Sequence, residues 1–152
     1  MRGVFIVSVL VIAYTYIIYP MIVVVWSRLR HRRVEKRYRQ MPVSIVIAAR
    51  NEEPHITARI ENLLAQEYPR ELLEIIVVAD GCSDRTAELA RLYAGQGVQL
   101  LECATAVGKA TALNIGVAAA TRDIVVFADA RQRFSPNAIA ELVSVWGSTS
   151  SN

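Results

Sequence analysis

The chain has 152 residues, enough for one modest globular domain, or for less than one if part of it spans a membrane. Its charge is uneven: residues 1–40 contain eight Lys or Arg and one Glu, whereas residues 41–152 contain nine Lys or Arg and thirteen Asp or Glu. The basic pI of about 9.1 therefore reflects the N-terminus and gives no reason to expect nucleic acid as a partner. Cys82 and Cys103 form no C-x-x-C motif, so we expect reduced thiols and no zinc site.

The first element along the chain is an apolar segment. Val4 to Trp26 contains no charged residue, and as a helix it would extend about 34 Å, enough to cross the hydrocarbon core of a bilayer. A cleaved signal peptide would have a shorter apolar core and a small-residue cleavage site. The sequence therefore predicts a retained transmembrane anchor at residues 1–26.

Basic residues follow this segment at once. Seven Lys or Arg lie between Trp26 and Met41, whereas only Arg2 precedes the apolar run. The positive-inside rule places the N-terminus outside and the rest of the chain in the cytoplasm, so we expect one membrane pass in this chain. We interpret residues 27–41 as a juxtamembrane linker that contacts anionic lipid headgroups rather than nucleic acid.

Strands and helices alternate through the rest of the chain. Short apolar runs predict strands at 43–49, 74–79, 98–103 and 123–128. The predicted helices begin near Pro54, Thr86, Lys109 and Ser135-Pro136. This order predicts an α/β fold with a mostly parallel sheet and helices on both of its faces. Residues 147–152 are polar, and we expect them to form a disordered tail.

Two of these strands end on an aspartate. The apolar runs 75–79 and 124–128 are followed by Asp80 and Asp129. In open α/β sheets ligands bind beyond the carboxyl ends of the strands, so two acids delivered there indicate a site. The alternative is that each aspartate only caps the next helix or turn. Because two strands share the pattern, we favour a ligand site.

Several common sites are excluded by the loops. The first strand is followed by Arg50-Asn51-Glu52-Glu53 and not by the G-x-G-x-x-G of a dinucleotide fold, and acids there would repel a pyrophosphate. Ala110 follows Gly108-Lys109 where a P-loop needs Ser or Thr. The chain also has no G-x-S-x-G motif, which argues against an α/β-hydrolase.

The polar residues left at this edge predict a nucleotide-sugar pocket. Carboxylates accept hydrogen bonds from sugar hydroxyls and base N–H groups, and a lysine at a helix start suits phosphate oxygens. The candidate residues are Asn51, Glu52, Asp80, Lys109 and Asp129. Capping of the following helix remains an alternative for Asn51 and Glu52, a solvated surface position remains one for Lys109, and Asp84 is predicted to cap the helix at Thr86.

Four segments in order resemble the family 2 glycosyltransferases, which have a GT-A fold related to the Rossmann fold. They are residues 43–53 (VSIVIAARNEE), 76–84 (IVVADGCSD), 108–114 (GKATALN) and 126–131 (VFADAR). The resemblance implies that Asp80 contacts the nucleotide, that Lys109 approaches the diphosphate and that Asp129 begins a D-x-D motif. It also implies an inverting transfer from a nucleotide diphosphate sugar, with a UDP-sugar favoured, to a glycan or lipid-linked acceptor in polysaccharide synthesis.

The D-x-D motif departs from the family pattern. It is written Asp129-Ala130-Arg131, so the second acid, which normally binds Mg²⁺ or Mn²⁺, is missing. One carboxylate together with phosphates can hold Mg²⁺, so Asp129 remains the candidate metal ligand. We hypothesise instead that Arg131 weakens or replaces the metal requirement, because a guanidinium pairs with phosphate in a bidentate way. The alternative is that Arg131 points to solvent.

The resemblance covers roughly Pro42 to Val143, and we assign residues 42–146 as the donor-binding half of a glycosyltransferase domain. The family's general-base carboxylate and Q-x-x-R-W motif are not found in the chain. Inverting transfer needs a base to deprotonate the acceptor hydroxyl, so we expect a fragment that is inactive alone and assign it no catalytic residue. A non-catalytic nucleotide-sugar-binding or membrane-scaffold fragment is the alternative, and a nucleotidyltransferase is a weaker third possibility.

Overall fold

The computed structural model describes residues 2–29 and 40–149, and the chain divides into two units, 1–35 and 36–152. Most of the predicted basic linker, residues 30–39, lies outside the described residues. The N-terminal unit is helical, with α1 at Arg2–Ala13, a π-helical turn at Tyr14–Ile18 and α2 at Tyr19–Leu29.

The π turn in this helix has a local cause. Proline has no N–H group, and its ring crowds the carbonyl four residues earlier, so the backbone before Pro20 widens and the Tyr19 N–H bonds to the Tyr14 carbonyl. None of the side chains is buried. The helix spans 28 residues, and its most apolar stretch of 18 residues has a mean hydropathy of 2.2, so its length and composition are sufficient to cross a membrane.

The second unit is a four-stranded parallel sheet with helices. The strands are β1 (Val43–Ala49), β2 (Leu73–Asp80), β3 (Val98–Cys103) and β4 (Ile124–Ala128). The helices are α3 (Glu53–Leu64), α4 (Thr86–Arg91), α5 (Lys109–Ala119) and α6 (Ala138–Thr149). The strand order is β3-β2-β1-β4, and every neighbouring pair is parallel. The predicted α/β class with a parallel sheet is confirmed.

The core lies on both faces of β1 and β2. Their side chains alternate between two apolar clusters, as expected for strands covered on both sides. The larger cluster joins one face to α3 and α6 and includes Ile45, Ile75, Ile60 and Ile139. On the other face α5 packs closely against β1. A Cβ at Gly116 would clash with Val46, so the absence of a side chain at Gly116 allows this packing.

Helix α6 differs from its prediction at both ends. It begins at Ala138 and not at Ser135-Pro136. The Pro136 carbonyl accepts a hydrogen bond from the Glu67 N–H at 2.7 Å, and the Ala138 N–H donates to the Ser135 carbonyl at 3.0 Å, so residues 135–137 form a turn that is bonded to a distant part of the chain. The helix continues to Thr149, so residues 147–149 of the predicted disordered tail are helical, and 150–152 lie outside the described residues.

A polar network ties the strands together at their amino ends. Glu74 accepts hydrogen bonds from the Ser44 hydroxyl and from the N–H and hydroxyl of Thr121, the last two at 2.9 Å. The Arg122 N–H donates to the Ser44 hydroxyl at 3.2 Å. Burial is the largest influence on the pKa of Glu74 and acts to raise it. The hydrogen bonds and the charge of Arg122 together outweigh burial, so the pKa is lowered.

Glu74→Gln should lower the free energy of unfolding of the full chain by about 1–3 kcal/mol, because it leaves partly buried donors without a charged acceptor. The folded pKa of Glu74 lies below the ordinary value of 4.5, so its stabilisation is complete above that pH and is lost as the pH falls through the folded pKa. Urea unfolding in detergent at neutral and acid pH measures both effects. Glu71→Gln, at an exposed position, is the matched control. Equal losses in the two variants, or a loss for Glu74→Gln that persists at acid pH, would contradict this account.

Candidate functional site

The loops after β1 and β2 bind each other at the carboxyl edge of the sheet. Asn51 has a positive φ of 53°, and its Oδ1 accepts the Ser83 N–H at 2.9 Å. The Glu52 N–H donates to the Thr86 hydroxyl at 2.8 Å. Asp84 accepts the N–H groups of Thr86 at 3.0 Å and of Glu53 at 3.1 Å, so it binds the start of α4 as predicted, and that of α3 as well. These contacts fix the two loops as one surface.

Asp80 holds a third loop against this surface. Its side chain is 3% exposed, and its two oxygens accept the N–H groups of Val107 at 2.6 Å and Gly108 at 3.1 Å. Gly81 has φ +56°, and a Cβ there would clash with the backbone of Thr105 and Ala106. The loop can therefore lie directly on the end of β2. Because Gly108 immediately precedes α5, Asp80 fixes where that helix and its first side chain begin.

Lys109, the first residue of α5, reaches across to the end of β4. Its Nζ donates to Asp129 at 2.8 Å, and the two side chains are 65% and 37% exposed. The other oxygen of Asp129 accepts the Arg131 N–H at 3.0 Å. The hydrogen bond from Lys109, followed by that from the Arg131 backbone, holds the pKa of Asp129 below its ordinary value. Asp129 is therefore a stable anion facing solvent.

Arg131 completes the chain of charges. Its Nε donates to both oxygens of Glu52, at 2.9 and 3.0 Å, and only 13% of the Glu52 side chain is exposed. The hydrogen bond to Glu52 raises the pKa of Arg131, so the guanidinium stays charged. We call Glu52, Lys109, Asp129 and Arg131 the edge network. It places two cations and two anions in contact at the end of β1 and β4.

The edge network can offer a divalent cation one carboxylate. No group of three or more His, Cys, Asp or Glu side chains that could hold a metal occurs in residues 2–29 and 40–149. One oxygen of Asp129 accepts a hydrogen bond from Lys109, and the other accepts one from the backbone N–H of Arg131. A Mg²⁺ ion can bind through one carboxylate plus phosphate oxygens, and on this ground Asp129 fits the role if Lys109 turns away.

The structure brings four of the six predicted site residues into one network and leaves Asn51 and Asp80 outside it. Asn51 bonds to the Ser83 N–H and Asp80 to the N–H groups before α5, so their predicted contact with a donor stays a prediction. Arg131 is bound to Glu52 and does not simply point to solvent.

Arg59 was not predicted from the sequence. It lies on the buried face of α3 with Ile56, Ile60 and Leu63 and is 2% exposed. A charged residue on an apolar stripe was the signal that could have found it, because such residues are rarely buried without a specific partner.

A family model and several solved structures match this chain. The family model described as glycosyl transferase family 2 matches residues 44–150. The mannosyltransferase PcManGT from Pyrobaculum calidifontis, in complex with GDP-Man and Mn²⁺, has a TM-score of 0.71 and 28% identity, covering 78% of this chain and 36% of that one. TarS 1-349 from Staphylococcus aureus, in complex with UDP-GlcNAc, has a TM-score of 0.64 and 22% identity, covering 68% and 30%. The predicted GT-A-like fold is confirmed.

Curated relatives match the same region. Beta-monoglucosyldiacylglycerol synthase from Trichormus variabilis is 32% identical over 127 residues, which are 81% of this chain and 27% of the relative. The 4,4'-diaponeurosporenoate glycosyltransferase from Staphylococcus aureus is 32% identical over 109 residues, or 69% of this chain and 28% of the relative. The chain spans between a quarter and a third of the length of these relatives.

Asp80→Asn should loosen the loop before α5. Asparagine keeps one acceptor oxygen but turns an NH₂ donor toward the second N–H, so one charge-assisted hydrogen bond worth about 1.5–3 kcal/mol is lost. Hydrogen exchange at the Val107 and Gly108 amides should then become about tenfold faster or more. Glu102→Gln is the control, because the Glu102 carboxylate pairs with Arg91 on the surface. Unchanged protection in Asp80→Asn would show that the loop does not depend on this carboxylate.

Proposed function

Because the chain belongs to glycosyl transferase family 2, we propose that its edge network binds the diphosphate of a nucleotide sugar. The chain is then the donor-binding part of an inverting glycosyltransferase. The observation that supports this proposal is that Lys109 and Arg131 both donate hydrogen bonds to Asp129 at the carboxyl edge of the sheet. The complex of PcManGT with GDP-Man and Mn²⁺ supports a nucleotide-sugar ligand and a divalent cation for this fold.

Donor binding on this account is an exchange of partners. In the structure Asp129 pairs with Lys109, and Glu52 pairs with the Nε of Arg131. A diphosphate offers both cations another anionic acceptor, and arginine can pair with phosphate through two short hydrogen bonds. Glu52 can keep Nε while the terminal nitrogens of Arg131 turn to phosphate. Lys109 must leave Asp129, which frees that carboxylate for a cation.

The proposed reaction transfers the sugar from the nucleotide to an acceptor hydroxyl. The bond from the anomeric carbon to the diphosphate breaks as the acceptor oxygen attacks, so negative charge grows on the leaving group. Lys109 and Arg131 stabilise that charge. A divalent cation bound at Asp129 would supply further positive charge there. Asp80 and Asn51 hold the nucleoside side of the pocket, and no residue of this chain is assigned as the general base.

A lipid-linked or glycan acceptor is part of the proposal. Two relatives are named for a glucosylated diacylglycerol and for 4,4'-diaponeurosporenoate, which supports an acceptor close to a membrane. The N-terminal helix is long and apolar enough to hold the chain there. Following the charge asymmetry around this helix, we place the second unit in the cytoplasm.

Calorimetry of the full chain in detergent with UDP-sugars and GDP-mannose tests the binding role. Lys109→Met and Arg131→Ala should each weaken donor binding about tenfold or more, because each removes a charge-assisted bond to phosphate. Arg91→Gln is the matched control, since Arg91 forms a surface pair with Glu102. Unchanged affinity in Lys109→Met would contradict the diphosphate role.

The same titrations test metal dependence. If Arg131 replaces part of the metal's charge, donor binding survives EDTA and fails in Arg131→Ala. Loss of all binding in EDTA, with no effect of Arg131→Ala, would refute this role for the arginine. A donor-hydrolysis assay completes the experiment, since binding without turnover indicates a binding fragment rather than a working enzyme.

Reporter fusions test the membrane placement. With the second unit in the cytoplasm, a C-terminal green fluorescent protein should fluoresce and a C-terminal alkaline phosphatase should be inactive in a bacterial host. Both fusions should stay in the membrane fraction after a carbonate wash. Deletion of residues 2–29 is the control and should release the protein. An active phosphatase would reverse the orientation, and release of the full chain by carbonate would exclude the anchor.

A further inference from the structure

Arg59 is a buried cation with few partners. Its side chain is 2% exposed, and Nη1 donates to Asn62 Oδ1 at 2.9 Å. The guanidinium lies 4.1 Å from the centroid of the Phe134 ring. Its Nε and Nη2 have no hydrogen-bond partner among the residues that the structure describes. Burying a charge and leaving donors unpaired both destabilise a fold, so packing alone does not account for an arginine here.

The partners of Arg59 hold the segment that carries the edge network. Asn62 binds the backbone of Phe134 twice, because its Nδ2 donates to the Phe134 carbonyl at 2.9 Å and its Oδ1 accepts the Phe134 N–H at 2.8 Å. Just beyond the end of α3, Gln66 Oε1 accepts the Ile139 N–H at 3.4 Å. The last turn of α3 and the residues directly after it therefore hold the chain that follows Asp129.

Asp129 is also the anion that acts on Arg59. Burial lowers the pKa of Arg59, and the negative charge of Asp129 acts in the opposite direction. The charge of Arg59 differs from those of Lys109 and Arg131 because it is buried and fixed by stacking on Phe134. Lys109 and Arg131 have exposed side chains and can turn toward a ligand.

We propose that Arg59 is a positioning residue for donor binding. Through its contacts with Phe134 and Asn62, it fixes the chain that follows the Asp129–Arg131 segment, and its buried charge remains to act on Asp129 when Lys109 leaves for the diphosphate. This proposal rests on the proposed donor-binding function. It explains why an arginine occupies an apolar stripe, since its charge serves the bound state and not the stability of the free protein.

The proposal separates ligand affinity from stability. Arg59→Met has a similar length but no charge, and replacing a poorly paired buried cation by an apolar side chain is often neutral or stabilising. We expect Arg59→Met to bind UDP about tenfold or more weakly than wild type, with an unfolding temperature that is unchanged or raised. Uridine, which lacks the diphosphate, should bind both proteins equally. Arg59→Lys restores a charge and should recover most of the affinity for UDP.

Titration calorimetry and thermal unfolding of the full chain in detergent measure these quantities, with GDP and guanosine as a second ligand pair. Equal affinity of wild type and Arg59→Met for the diphosphates would overturn the proposal and leave the proposed function standing. A parallel loss of stability and of affinity for both nucleoside and diphosphate would also overturn it, because that is the behaviour of a structural residue.

Two further results keep the test decisive. If wild type binds neither UDP nor GDP, the proposed function itself fails, which is a different outcome from an unaffected Arg59→Met. If Arg59→Met does not fold, Phe134→Leu carries the test, because it removes the ring that fixes the guanidinium and keeps an apolar side chain. Selective loss of diphosphate binding in Phe134→Leu supports the proposal, and wild-type binding refutes it.

Discussion

The site depends on one buried carboxylate at the end of β2. Asp80 accepts the N–H groups of Val107 and Gly108 and so draws the loop before α5 onto the edge of the sheet. Gly81 makes this possible, because the loop backbone occupies the space that a side chain would need. Without that anchor, the start of α5 and the position of Lys109 are not defined. The parallel sheet forms the carboxyl edge, and the hydrogen bonds of Asp80 hold the loop before α5 against it.

The edge network is neutral within itself, and this shapes how it can bind a ligand. Lys109 neutralises Asp129, and Arg131 neutralises Glu52, so these four groups together carry no net charge. A diphosphate must compete with carboxylates for both cations. On the proposals made above, a divalent cation and the buried charge of Arg59 would then compensate Asp129. The affinity for a donor is therefore a difference between two sets of ion pairs, not a simple sum of new contacts.

Much of the fold follows from the sequence, because buried parallel strands have unbroken apolar runs and the intervening helices begin after recognisable turns. The predicted range of β3 agrees with the structure, and β4 begins one residue later than predicted. Grouping of Lys109 and Asp129 was also predictable, since carboxyl ends of parallel strands share one edge. The start of α6 was not predictable, because the Pro136 carbonyl accepts a hydrogen bond from the N–H of Glu67, a residue distant in sequence. The partners of Asp80 and Arg59 likewise depend on tertiary contacts that no local pattern encodes.

The most direct test of the account is to map where a donor binds. Backbone NMR shifts of the full chain in detergent can be followed while UDP-GlcNAc or GDP-mannose is added with the diamagnetic ion Mg²⁺. The account predicts saturable shifts in the loops 50–53, 80–84, 105–109 and 129–131, and little change at the amino ends of the strands around Ser44 and Thr121. Saturable shifts elsewhere, or none with either nucleotide sugar, would contradict a donor site at the carboxyl edge.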